Sequence, residues 1–328
     1  MQPDVSSVPD VSFVPDVSFI IAAYNAEATL DRAIASAIAQ KDVSVEIIVV
    51  DDKSRDATLD VARAYPQDIV RVVALPQNRG PGGARNAGLD VARGRWVAVL
   101  DSDDAVFPGR MAAMIARAER ADAQIAVDNL QVVREDGVVE DAMFPRQYLE
   151  HLGEISLATY IAGNVVFESK FNLGYLKPIF QRRFLDENRL RYDEKLRIGE
   201  DYILFADALA KGGRCVVEPD IGYAYHVLSG SISRVLELHH VEAMREADAK
   251  FAQTHRMDEA ALAAFARRGR SLRKAASFLA MVQHIKARSP FKAIRTALSD
   301  PAAVRHMGMP IAVRLRRVAA QFAVGVGR

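Results

Sequence analysis

The 328-residue chain predicts an α/β protein in which a mainly parallel sheet is flanked by helices and followed by a C-terminal helical extension. Two observations predict the sheet. From Val17 onward short apolar runs alternate with amphipathic stretches, the spacing of strand–helix units joined by right-handed crossovers. The apolar runs are rich in Val and Ile at successive positions, as in strands covered on both faces. A third observation predicts the extension: Leu272, Ala275, Ala276, Leu279 and Val282 fall at helical spacing, as do Ile311, Leu315, Val318 and Phe322.

In chain order, the N-terminus repeats one hexapeptide at Pro3, Pro9 and Pro15. So few short copies do not make a solenoid, so residues 1–16 are expected to be disordered and a domain to begin at residue 17. Strands are predicted over 17–23, 45–50, 69–75 and 95–100, with helices over 26–40, 56–65 and 82–92 between them. A helix over 107–120, a strand over 124–133, an Asp136-Gly137 turn and a helix over 203–210 follow. The domain is expected to span 17–230 in two halves, 17–104 and 105–230, and the extension to span 231–328. Residues 140–180 show no clear period. Phe144, Phe167, Phe171, Tyr175 and Lys177 suit an acceptor groove or, more simply, core aromatics and surface charges.

Composition narrows the class. At 50% hydrophobic and 26% charged residues the chain is an ordinary globular protein. Its single cysteine, Cys215, excludes an internal disulfide or a thiolate cluster, and no signal peptide or run of about 18 apolar residues is visible. A cytoplasmic protein is expected. The net charge of +1 hides a division: residues 263–328 hold 14 Lys or Arg against Asp300 alone, and residues 1–262 hold 29 basic and 41 acidic side chains. Such a tail suits a membrane surface, nucleic acid or the chain's own acidic body.

The chemistry gathers at strand ends, where ligands bind in open α/β sheets. The run Trp96–Leu100 ends in Asp101-Ser102-Asp103-Asp104. These carboxylates suit a divalent cation holding a diphosphate, or a solvated turn in which Asp104 caps the helix beginning near Pro108. The first strand opens into Ala22-Ala23-Tyr24-Asn25, and the second ends in Asp51-Asp52-Lys53-Ser54. Asn78–Asn86 is a glycine-rich loop entering a helix, able to offer backbone N–H groups and the Arg85 guanidinium to phosphate. Each alone has an ordinary reading as a packed tyrosine, a helix cap or a flexible loop. Together they converge on one nucleotide crevice. Neither Gly-x-Gly-x-x-Gly after the first strand nor Gly-x-x-x-x-Gly-Lys-Ser/Thr is present, against a dinucleotide fold and a P-loop.

The series VSFIIAAYNAEATL, EIIVVDDKSRDAT, QNRGPGGARNAGL and WVAVLDSDD resembles the nucleotide-sugar half of the family-2 inverting glycosyltransferases, with their A-type fold. The resemblance implies that Tyr24, Asp51 and Asp52 surround the base and ribose, with Asp51 accepting the uracil N–H. It also places Ala22, Asn25, Glu27, Ser54 and Ser102 beside the nucleotide sugar, and Arg85 and Asn86 near the diphosphate or donor sugar. Asp101 and Asp103 are implied to be the Asp-x-Asp pair that binds ribose and Mg²⁺ or Mn²⁺, with Asp103 the direct ligand.

Further along, Gly199-Glu200-Asp201-Tyr202 reads as a helix start capped by Asp201. The resemblance makes Asp201 the base that deprotonates the acceptor hydroxyl, with Glu200 positioning the acceptor or the loop. The segment GYAYHVLSGSIS resembles the family's closing stretch but departs from it. His226 stands where arginine is expected and Leu228 where histidine is expected, which leaves His226 as a phosphate contact or a hydrogen-bonded histidine. The Gln-x-x-Arg-Trp signature of processive synthases is absent, so one sugar per encounter is expected. The stretch LGYLKPIFQRRFLDENRLRYDEKLRIGEDYILFADALAKGG resembles glucosyltransferases of succinoglycan-type exopolysaccharide assembly. This implies a UDP-sugar donor, UDP-glucose foremost, and an oligosaccharide acceptor on a polyprenyl diphosphate at the inner face of a bacterial membrane. The basic tail then faces an anionic membrane surface or packs on the acidic body; no nucleic-acid motif accompanies it. A sugar nucleotidyltransferase or a catalytically silent scaffold of the assembly complex are the rivals.

Overall fold

The computed structural model describes residues 14–227 and 236–301. The first two hexapeptide copies up to residue 13, Leu228, and the apolar positions Ile311, Leu315, Val318 and Phe322 lie outside the described residues. Asp16, which the sequence assigns to the N-terminal tail, is built into the fold: its carboxylate accepts from Ser44 N at 2.9 Å and Ser44 Oγ at 2.7 Å and pairs with Arg95.

Four parallel strands form the first half of one sheet: β1 (Val17–Ala23), β2 (Val45–Asp51), β3 (Val70–Ala74) and β4 (Trp96–Val99). Helices α1 (Leu30–Ile38), α2 (Thr58–Arg63) and α3 (Gly80–Leu89) make the crossovers between them. The β1 and β2 side chains Phe19, Ile20, Ile21, Ile47, Ile48, Val49 and Val50 are wholly buried, which is why these strands read as unbroken apolar runs. In α1, Leu30, Ala33, Ile34 and Ala37 form the buried stripe at i, i+3, i+4 and i+7. This helix starts four residues later than its period predicts. The side chains of Thr58 and Asp56 take the backbone N–H groups of Ala26 and Glu27, holding 26–29 as turns. Helix α3 presses on β1 at Gly88, where an added Cβ would lie 2.4 Å from Ile20 Cγ2, so only glycine permits the approach.

The second half is mixed. It comprises β5 (Ala105–Val106), α4 (Arg110–Arg120), β6 (Ile125–Arg134), β7 (Val139–Ala142), α5 (Arg146–Leu152), α6 (Leu157–Ala162), a 3-10 turn at Leu173–Tyr175, β8 (Ile179–Gln181), α7 (Arg182–Glu187), α8 (Glu200–Ala210) and β9 (Cys215–Val227). The nine strands run β3-β2-β1-β4-β8-β6-β9-β5, with β7 on β6. Strand β8 lies antiparallel to both β4 and β6, and β5 antiparallel to β9, so the sheet is parallel only in the half that the early motifs occupy and along β6–β9. The short strands β5 and β8 carry too few residues for a period to show.

The extension packs on this domain. Helix α9 (Leu238–Thr254) contributes Ala247 and Phe251 to the main core, and α10 (Glu259–Lys286) sets Leu272 and Ala275 with Val241, Met244, Val166 and Ile198. Helix α11 (Pro290–Ser299) covers Phe278 and Met281 with Ala293. The predicted stripe Leu272–Val282 is therefore engaged in packing. Among the described residues no helix is long and apolar enough to cross a membrane.

Candidate active site

The carboxyl ends of β1, β2 and β4 lie side by side at one edge of the sheet, and the start of α8 meets the end of β4 there. Helix α3 enters this junction through Arg85, a buried guanidinium that donates to three carboxylates: Asp101 Oδ1 at 2.8 Å, Glu200 Oε1 at 2.7 Å and Asp201 Oδ1 at 2.9 Å. The strand-end motif and the motif some 100 residues later are joined by this one side chain. Its Nε has no hydrogen-bond partner, and its face lies 5.4 Å from the Tyr192 ring centroid. Gly199 supports the junction: at φ 91° it takes the left-handed turn from which α8 starts, with Met244 3.1 Å from where its Cβ would stand.

Lys177 pairs with the other oxygen of Asp101 and lies 5.7 Å over the Tyr223 ring. Burial works to raise the Asp101 carboxyl, but Lys177 and Arg85 outweigh it and hold it well below the usual range. Asp101 is thus a fixed anion with both oxygens engaged. Burial, reinforced by Asp201, pushes the Glu200 carboxyl up to about 7, whereas the Asp201 side chain keeps about a third of its surface exposed. Of the two acids at the start of α8, Asp201 is the one that faces solvent.

The turn after β4 differs from its expected arrangement in two ways. Asp104 does not cap α4, whose preceding residue is Gly109; its oxygens accept from the Tyr223 hydroxyl and the His226 backbone N–H, both at 2.7 Å. Burial and Asp101 push its carboxyl up to about 8. Nor does Asp101 stand as a free metal ligand beside Asp103, because two cations occupy it. Asp103 makes no ion pair among the described residues, and burial together with Asp101 raises its carboxyl. No three His, Cys, Asp or Glu side chains among the described residues are grouped as a metal cage. Mg²⁺ takes one or two protein carboxylates and completes its shell with phosphate oxygens and water, so Asp103, with Lys177 and Arg32 acting on it only from a distance, fits such a cation with a diphosphate. His226 lies beside this turn, its ring nitrogen 3.2 Å from the Ala224 carbonyl, and burial followed by Arg32 lowers its pKa.

On the β1–β2 side, Tyr24 is 43% exposed above the end of β1, close to Ala22 and to the buried Asp51. Asn25, Glu27 and Ser54 are mainly engaged with each other's loops. Ser54 Oγ accepts from Asn25 N at 3.0 Å, Asn25 Oδ1 from Arg55 N at 2.9 Å, and Glu27 Oε2 from Ala57 N at 2.8 Å. Asp52 is also committed to backbone: it accepts from Arg79 N at 2.6 Å and Gly80 N at 2.8 Å and so fixes the glycine-rich loop at the start of α3. Asn86, about 100° further round the helix than Arg85, is engaged with the 190s segment: its amide accepts from Tyr192 N at 2.9 Å and donates to Tyr192 O at 3.0 Å. Ser102 sits half-buried in the acid turn.

The chain alone leaves Lys177 open between an acceptor groove and a surface charge, and it assigns Tyr223 and Tyr192 no role although both stand in stretches that carry a resemblance. The folded sheet sets all three around Asp101 and Arg85. Of the aromatics left open in 140–180, Phe144 and Phe171 belong to the core, Phe167 edges against Phe278, and Tyr175 is exposed near Lys177. A wider surface cavity at Arg95, Trp96, Glu119 and Arg182 lies at the other end of β4, and both of its named arginines are paired with acids.

Comparison with known proteins supplies the family. Residues 18–184 match the family described as Glycosyl transferase family 2. The chain is 56% identical over 303 residues to the succinoglycan biosynthesis protein ExoO of Rhizobium meliloti (strain 1021), covering 92% of this chain and 87% of that protein. It is 36% identical over 261 residues to ExoU, a succinoglycan biosynthesis protein of the same strain, covering 77% and 74%. Among solved structures, S. aureus TarS 1-349 in complex with UDP-GlcNAc superposes with a TM-score of 0.61 at 20% identity, over 87% of this chain and 91% of that one. That likeness concerns the fold, a glycosyltransferase A-type sheet with flanking helices. The match across half of the chain and the identity with ExoO give the family: the chain belongs to glycosyltransferase family 2.

Proposed function

We propose that this chain moves a single sugar, with inversion, from a UDP-sugar to a hydroxyl of a polyprenyl-diphosphate-linked oligosaccharide during succinoglycan-type exopolysaccharide synthesis. The observation that carries it is the Arg85 node, which ties Asp101 of the strand-end acid turn to Asp201 of α8. Donor and acceptor chemistry have to meet at one carbon, and a guanidinium holding both acids sets that distance. UDP-glucose is the donor suggested by the resemblance to succinoglycan glucosyltransferases, and the UDP-GlcNAc bound by TarS supports a UDP-sugar in this fold.

In this reading Tyr24 and Asp51 receive the base, with Asp51 accepting the uracil N–H. Asp103 holds Mg²⁺ or Mn²⁺, which when bound neutralises the departing diphosphate. Asp201, exposed at the crevice, takes the proton of the attacking hydroxyl, and Arg85 holds its carboxylate in place. Glu200 stays buried behind it as a support. The acceptor lies at the inner face of the cytoplasmic membrane, which the basic C-terminal residues face.

The test is UDP release from UDP-glucose in the presence of a bacterial membrane lipid extract, with Mg²⁺, Mn²⁺ or EDTA, for the parent and Asp103→Asn. Metal-dependent release that requires the lipid fraction is expected, and Asp103→Asn should weaken metal-dependent UDP binding about tenfold or more. Full release in EDTA removes the metal assignment, and UDP-glucose binding without release favours the scaffold.

A further inference from the structure

We propose that Tyr175 and Tyr225 form an aromatic subsite on which the acceptor sugar ring stacks beside Asp201, an inference that rests on the transferase chemistry proposed above. Two separate segments bring these tyrosines to the same place. Tyr225 follows Tyr223 by two residues on β9, and alternation along a strand sends both side chains to one face of the sheet. Tyr223 touches the acid turn directly, donating to Asp104 and accepting from the Asp101 N–H at 3.3 Å. Tyr175 precedes Lys177 by two residues, and Lys177 is the residue that pairs with Asp101. Each tyrosine therefore stands two residues from one in contact with Asp101, Tyr225 along β9 and Tyr175 at the end of the 3-10 turn.

The two rings meet edge to face, 5.8 Å apart with planes at 71°. Tyr175 is 40% exposed and belongs to none of the buried clusters, so its ring is not used by the core. Tyr225 rests partly on the main core, which holds it in place. A rigid aromatic wall with hydroxyls at its rim matches the apolar C–H face and polar edge of a pyranose. The sheet order also separates it from the donor. Tyr24 and Asp51 lie at β1 and β2, whereas this pair lies by β8 and β9, across the β4 turn that carries Asp101. Leu176 and Lys177, which follow Tyr175 in the chain, share the lining of a small cavity with Asp201, which ties the segment that carries Tyr175 to the proposed base.

The experiment measures binding of cellotriose, a soluble β-glucan probe, to the UDP- and Mg²⁺-loaded full-length protein by saturation-transfer NMR, with UDP affinity recorded in parallel. Cellotriose affinity should fall about tenfold in Tyr175→Ala and in Tyr225→Ala while UDP affinity stays at the parental value. Tyr175→Phe, which keeps the ring, should stay within about twofold of the parent. Tyr175 is exposed, so its alanine variant tests the idea without threatening the fold. Absence of a cellotriose signal on the UDP-loaded parent, or an unchanged signal in Tyr175→Ala, overturns the subsite. Failure of the parent to bind UDP would instead count against the transferase reading.

Discussion

Two buried arginines at this end of the sheet are held in opposite ways. Arg110 meets one carboxylate as a fork, with Nε 2.7 Å and Nη2 2.9 Å from Asp128, and Nη2 also donates to the Lys177 carbonyl at 2.6 Å. One cation is matched by one anion, and neither side chain is exposed by more than 1%. Arg85 faces three carboxylates, one of them solvent-accessible and another displaced to about 7. The first arrangement is closed and holds α4 against β6. The second joins three carboxylates with the help of Lys177 on Asp101, leaving one acid open to solvent and one displaced toward neutral. Such access and displacement suit a place where a proton, a cation or a phosphate-bearing donor is to be handled. The physical difference between the two is here one of access and of a displaced titration, since both guanidiniums are buried and their pairs are short.

The comparison breaks most sharply at Asp201. Asp201→Asn keeps the shape and one acceptor oxygen for Arg85 but cannot take a proton, so single-turnover transfer should drop by about 10²–10⁴, or roughly 3–5 kcal/mol of barrier, with UDP-sugar affinity nearly unchanged. A residue that only caps α8 would tolerate asparagine, so transfer within about threefold of the parent would place Asp201 with the structural group. The next effect is on stability. Arg110→Met leaves Asp128 buried without its cation and should cost about 3–5 kcal/mol in urea unfolding, and pairing it with Asp128→Leu should restore much of that loss. A double variant as unstable as the single one would show that the pair contributes more than charge balance.

The smallest effect concerns pH and Glu200. Burial raises its carboxyl from 4.5 to about 7, so between those values the folded chain keeps a proton that the unfolded chain has released. Its contribution is therefore full below pH 4.5 and is lost as the pH rises through about 7. Melting temperatures recorded from pH 4 to 8 should fall more steeply for the parent than for Glu200→Gln, which cannot titrate. Parallel curves would mean that Arg85 already holds Glu200 ionised throughout.

Much of the first half of the molecule was legible in the chain. Strand β1 has the predicted bounds and β2 runs one residue beyond them, because strands buried on both faces leave an unbroken Val and Ile record. The rule that ligands gather at the carboxyl ends of such strands pointed to Asp51 at the end of β2 and Asp101 just after β4, and the structure joins Asp101 to Arg85. Local pattern could not tell which acid of the Asp101–Asp104 turn is paired, buried or available. Those roles depend on Lys177, 76 residues from Asp101, and on Tyr223, 119 residues from Asp104. The same limit hid the partners of Asn86 and Asp52, among them backbone groups in a loop 106 residues away and in the turn before α3. Periodicity reports which face of an element is apolar, and it determined the layers of this protein. Which carboxylate keeps its charge is a matter of long-range neighbours and burial, and only the assembled sheet decided it.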